Sequence, residues 1–129
     1  MQYYYSKKLS DTSFAEAEQK VAAALKEKGF GILTEIDVQA TMKKKLDADM
    51  PAYKILGACN PQFAYQALQQ ENKIGTMLPC NVIVQQNEDG EIEVSAVDPV
   101  ASMQAVENEG LGNIAGEVRD NLRAAIDSL

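Results

Sequence analysis

The stretch CNVIVQQNEDGEIEVSAV, residues 80–97, decides the fold. Apolar and polar residues alternate on both sides of Asn87-Glu88-Asp89-Gly90. Two such period-two runs joined by a short turn that contains glycine read as a β-hairpin. The first strand of the pair is expected over Cys80 to Gln86 and the second over Glu91 to Val97, with Ile92, Val94 and Ala96 facing inward. A hairpin inside a chain that otherwise alternates strands with helical patterns points to a two-layer α+β domain.

Upstream, Gln2 to Leu9 reads as a tyrosine-rich strand, with Tyr3 and Tyr5 on one face and Tyr4 on the other. Ser13 and Glu16 fit a capping box, in which each side chain closes an orphan amide of the helix that follows. Phe14, Ala17, Val21, Ala24 and Leu25 form its apolar stripe, and Gly29 ends it. Phe30 to Val38 is a second strand. Strict alternation would put Phe30, Ile32, Thr34, Ile36 and Val38 on one face and Leu33, Glu35 and Asp37 on the other. A short helix over Gln39 to Leu46 and a third strand over Ala52 to Cys59 come next.

Asn60-Pro61 opens a helix to about Glu71, because asparagine is a strong N-cap and proline suits the first helical position. Asp98-Pro99 repeats that grammar for a short helix to about Val106. A last helix is expected over Asn113 to Ser128, burying Ile114, Val118, Leu122, Ala125 and Leu129. The expected order is β-α-β-α-β-α-β-β-α-α: a single domain over 1–129, with helices packed on a mixed sheet of about five strands.

The chain has 129 residues, 12 lysines and arginines, and 19 aspartates and glutamates, for a net charge of −7. That balance argues against a nucleic-acid partner, whose binding rests on neutralising phosphates. It also argues against docking on an anionic membrane. The first residues lack a signal-peptide core and no run is long enough to span a bilayer, so a cytoplasmic location is expected. Thiols there are normally reduced, which disfavours a permanent Cys59–Cys80 disulfide. Histidine is absent, so Ser–His and Cys–His pairs are excluded within one chain, and metal sites lose their commonest ligand.

Both cysteines precede an asparagine and lie beside a proline, in GACNP (57–61) and LPCNV (78–82). They can act as small buried hydrophobes or share a reactive pocket. Two thiols are too few for a structural zinc site, although a dimer could supply four. The outcome turns on topology. If the third and fourth strands run antiparallel, Cys59 and Cys80 meet at one sheet edge. A parallel crossover puts them at opposite ends, and the loop 72–79 can span either path. Glu35 and Asp37 are the other candidate pair, able to hold a cation or to act as acid and base if their face is closed. Lys43, Lys44 and Lys45 fan around a helix and read as a solvated surface.

In order, FGILTEIDVQATMKKKL, ILGACNP, LPCNVIV and AVDP resemble the domain-of-unknown-function family 302 over about residues 12–106. The resemblance implies a small α+β domain that forms dimers, and it names no reaction, cofactor or substrate. Other branches carry glycine where this chain has Cys59 and lack the thiol at Cys80, so any thiol chemistry would belong to a cysteine branch.

Three functions compete. The first is binding or sensing of a small molecule or ion at a pocket near Asn60 and Leu78–Asn81, with Cys59, Pro79, Cys80 and Asn81 as its walls. The second is a redox or metal-binding role for Cys59 and Cys80. The third is a dimeric interaction module. A homodimer is expected because the tyrosines at 3–5 place aromatic surface on both sides of one strand.

Overall fold

The computed structural model describes residues 2–129. Five strands form one sheet: β1 (Tyr4–Leu9), β2 (Gly31–Asp37), β3 (Tyr53–Cys59), β4 (Cys80–Gln86) and β5 (Ile92–Val97). The helices are α1 (Phe14–Glu27), α2 (Val38–Leu46), α3 (Pro61–Gln70), α4 (Pro99–Ser102) and α5 (Glu109–Asp127). A single 3-10 turn, Ile74–Met77, lies between α3 and β4. The α+β architecture and the order of elements match the sequence expectation.

The strand order is β1-β5-β4-β3-β2, and every neighbouring pair is antiparallel. The sheet is therefore antiparallel throughout rather than mixed. The β4–β5 hairpin sits between β3 and β1, so the N-terminal strand closes one edge and β2 the other.

One face of the sheet carries the core. Leu56, Val82, Val84 and Val94 on the strands meet Val21 and Leu25 of α1 and Leu122 and Ile126 of α5, all at most 2% exposed. Such alternation, buried on one side only, is the signature of an antiparallel sheet with one covered face.

The local grammar explains the helix starts. Ser13 Oγ accepts from the Glu16 amide at 3.1 Å and donates to the Glu16 carboxylate at 3.0 Å. The capping box is thus half-formed, because the carboxylate takes the hydroxyl rather than the Ser13 amide. Asn60 and Asp98 cap α3 and α4 ahead of their prolines. Asp98 is 8% exposed, and Arg123 of α5 pairs with it at 3.3 Å. Gly29 takes φ +85° behind α1, where a left-handed turn suits glycine.

Two expectations are corrected. In β2, Ile32 pairs with Ala58 but Thr34 pairs with Gly57, so Leu33 is an extra residue in a bulge. One extra residue flips the faces that follow it. Glu35 now lies opposite buried Leu56, on the side of Ile32, while Thr34 and Ile36 turn to the uncovered face. The last helix begins at Glu109 rather than near Asn113; of the expected inner face it buries Val118, Leu122 and Ala125, leaves Ile114 and Leu129 half-buried, and adds Leu111, Ala115 and Ile126. Gly110, Gly112 and Gly116 weaken the helical pattern. Its start is fixed instead by Asn108, whose side chain accepts from the Gly110 amide and donates to Gln70 O of α3 at 2.7 Å.

Candidate functional site

Antiparallel pairing of β3 and β4 sets Ala58 opposite Cys80, so Cys59 lies one residue beyond the partner of Cys80. Facing residues in such a ladder are about 4.5–5.5 Å apart. The two Cys-Asn segments therefore meet at one end of the sheet. The 3-10 turn brings the chain back to that end, anchored by Ile74, which is 1% exposed.

A cavity of about 350 Å³ opens there, between the sheet, α3 and α5. Ala58 and Cys80 form part of its floor, and Phe63, Ala67, Ile114 and Val118 part of its walls. Leu33 and Leu68, 67% and 41% exposed, stand at its mouth. It lies along the seam between the main core and a smaller cluster of Ala67, Ile74 and Leu111. The space exists because alanines occupy positions 58, 64, 67 and 115 around it. No charged residue lines it; its polar side chains are the Asn60 amide and the thiols of Cys59 and Cys80.

Burial pushes the Cys80 thiol up to about 11, and the nearby Cys59 thiol adds to the shift. At neutral pH Cys80 is a protonated, weakly polar wall residue. Asn60 is committed to the helix: its Oδ1 accepts from the Phe63 amide at 3.4 Å. Asn60→Ala is expected to destabilise the protein by about 1 kcal/mol in urea denaturation. An unchanged midpoint would mean that this cap contributes nothing.

Pro79 is seated by close contacts. The Leu78–Pro79 bond is cis. A Cβ on Gly57 would collide with the Thr34 hydroxyl and come within 2.7 Å of the Pro79 ring. Gly57 thus lets the LPCN segment lie against β3.

The other candidates lie elsewhere. Asn81 pairs with Gly57 and lines the uncovered side of the sheet, away from the cavity. Glu35 accepts from Lys54 Nζ at 2.7 Å, and Glu18 of α1 takes the same ammonium at 3.1 Å. These bonds, first that to Glu35 and then that to Glu18, hold the Lys54 pKa above its usual value. The Asp37 carboxylate accepts from the Ala40 amide at 2.9 Å and caps α2. The two carboxylates are therefore occupied by an ion pair and a cap. Lys43 pairs with Asp47 and Asp49 on the surface. Sequence reading missed the contribution of α5, through Ile114, Ala115 and Val118, and that of Leu33 at the mouth. Ala64 and Ala67 on α3 and Ala115 on α5 are its trace in the sequence, and they become a signal only once the two helices are placed together.

Among the described residues, no group of three or more histidine, cysteine, aspartate or glutamate side chains is placed to hold a metal. No helix there is long and apolar enough to cross a membrane. Comparison with curated proteins finds no match. A crystal structure of an uncharacterized conserved protein DUF302 from Bacillus stearothermophilus is similar, with a TM-score of 0.91. The two are 27% identical, and the alignment covers 98% of each chain. The family described as Domain of unknown function DUF302 matches residues 5–129, nearly the whole chain. The chain belongs to that DUF302 family.

Proposed function

We propose that the chain binds a small, uncharged, largely apolar molecule in the cavity between α3, α5 and the Cys59 and Cys80 segments. The carrying observation is the lining: about 350 Å³ of space with no charged side chain around it. Ligand pockets are typically clefts of roughly 300–1,000 Å³ with apolar walls and a few polar groups. An ion taken into such walls would lose its hydration with little in exchange, so a neutral ligand fits better. A thiol reaction at the same place would need a thiolate, and burial opposes that form at Cys80.

Indole and benzoate separate a neutral ligand from a charged one in a thermal-shift titration. Indole at about ten times its Kd is expected to stabilise the fold by about 1.4 kcal/mol. That corresponds to a Tm rise of roughly 5 °C for a domain of this size. Benzoate is expected to do nothing, and Ala64→Trp, which fills the cavity from α3, is expected to abolish the indole shift. Equal shifts with both compounds, or none with indole, would overturn the proposal.

A further inference from the structure

The cavity at Cys59 and Cys80 is a slot that runs across the strands. Its lining begins at Leu33 on β2, passes Ala58 on β3 and Cys80 on β4, and ends at Pro99, two residues past β5. Those four strands are neighbours in the sheet, so the lining spans three strand steps. At about 4.8 Å a step, that is roughly 14 Å. A volume of about 350 Å³ spread over that length leaves a channel about 5 Å across, room for carbons in single file. The two ends differ. Pro99 is fully buried at the foot of α4, whereas Leu33 stands in solvent beside the half-exposed Leu68. Leu33 is the extra residue of the β2 bulge, and a bulge re-aims one side chain beside a site. Asn60 lies on the same side as Leu33, because it follows Cys59, which pairs with Gly31 of β2. It is the one side-chain N–H donor in the lining among the described residues. Its Oδ1 is spent on the Phe63 amide, which leaves Nδ2 to donate.

We propose that the ligand is a neutral single-chain amphiphile of about a dozen carbons, an alcohol in its simplest form, bound tail-first. The tail reaches Pro99, and the head oxygen stays at the mouth, where Asn60 Nδ2 donates to it. This inference rests on the preceding proposal of a neutral apolar ligand and names its class. Two measures of the slot give the chain length. A dry cavity of 150 Å³ takes benzene, six carbons, so about 350 Å³ takes roughly fourteen. An extended chain with bonds of about 1.5 Å rises about 1.3 Å per carbon, so roughly 14 Å takes about eleven. A fused-ring molecule of the same volume would be too wide for the slot and too short to reach both ends. Leu33 and Leu68 extend the apolar path past the mouth and cover the last carbons before the head. The head is neutral because the described residues of the lining supply no cation, and a carboxylate placed there would lose its hydration unpaired.

NMR titration of the full chain with 1-hexanol, 1-octanol and 1-decanol tests it. Each buried methylene is expected to tighten Kd about three- to fourfold, so 1-decanol should bind roughly 100-fold tighter than 1-hexanol. Leu33→Ser, at an exposed position that folding does not depend on, is expected to weaken 1-decanol about tenfold. The same variant should leave 1-hexanol unchanged, because the shorter chain ends inside the slot. Leu46→Ser removes an exposed leucine outside the cavity and should change neither. Decanoate is expected to bind at least about tenfold more weakly than 1-decanol. Indole separates this inference from the reading beneath it. If indole binds and 1-decanol is no tighter than 1-hexanol, the chain-shaped ligand is wrong and the neutral apolar one stands. If neither indole nor any alcohol binds, both fall. Decanoate that binds as tightly as 1-decanol overturns the neutral head. Equal losses of 1-hexanol and 1-decanol in Leu33→Ser overturn the tail-first orientation.

Discussion

Gly57→Ala is expected to lose about 2–3 kcal/mol, although alanine normally favours a strand over glycine. The new methyl would stand 2.7 Å from the Pro79 ring and collide with the Thr34 hydroxyl. Thr34 is on an edge strand and its side chain can rotate. The Pro79 ring is closed onto the backbone, so beyond a change of pucker at Cγ it moves only with Leu78 and Cys80. Gly31→Ala, where the added methyl meets nothing within 4 Å, is the control and is expected to be close to neutral. Urea denaturation of the two variants decides it. For a domain of this size the Gly57 variant should melt about 10 °C lower. Equal stabilities would mean that Pro79 does not rest on β3.

A second large effect is expected in alkali. The Cys80 thiol titrates at about 11 in the folded protein against 9.0 for the free group, chiefly because it is buried. A raised folded-state pKa means that the folded form holds its proton longer than the unfolded form. The stability this confers is complete below pH 9 and is lost as pH rises through 11. A shift of that size is worth about 2–3 kcal/mol. Cys80→Val keeps the apolar contact and removes the titration. Lys54 and Tyr5, whose pKa values are also raised, by Glu35 and by Asp127 respectively, add alkaline loss to both proteins equally. The difference between the two denaturation free energies should therefore change by about 2 kcal/mol in favour of the valine variant between pH 9 and 11. Parallel pH curves would mean that Cys80 is not the buried thiol described.

Local chemistry was legible in the sequence. Ser13, Asn60 and Asp98 announce their helices because a cap is a short-range hydrogen bond, and Asn87–Gly90 announces the hairpin because a turn is a backbone requirement. The bulge at Leu33 was not legible, since one extra residue leaves no mark in FGILTEID, yet it moves Glu35 and Asp37 to the other face. The start of α5 was obscured by its glycines, because its cap at Asn108 is reinforced from α3, 38 residues away. The meeting of Cys59 and Cys80 hung on the direction of β4, which the loop 72–79 permits either way. In the fold β4 runs antiparallel to β3, and Ile74 is buried in the small cluster between α3 and β4. The cavity is a tertiary product: Ala58, Ala64, Ala67 and Ala115 are unremarked one by one and leave a void only when α3 and α5 cross the same end of the sheet.

The central claim is that this void receives a neutral apolar ligand, and a ¹H–¹⁵N NMR titration with indole tests it most directly. The account predicts saturable shifts concentrated at Ala58–Phe63, Leu78–Cys80 and Ile114–Val118, and their loss in Ala64→Trp. Shifts that never saturate, or that map to Ile36, Ile55 and Ile83 on the other face of the sheet, would contradict it.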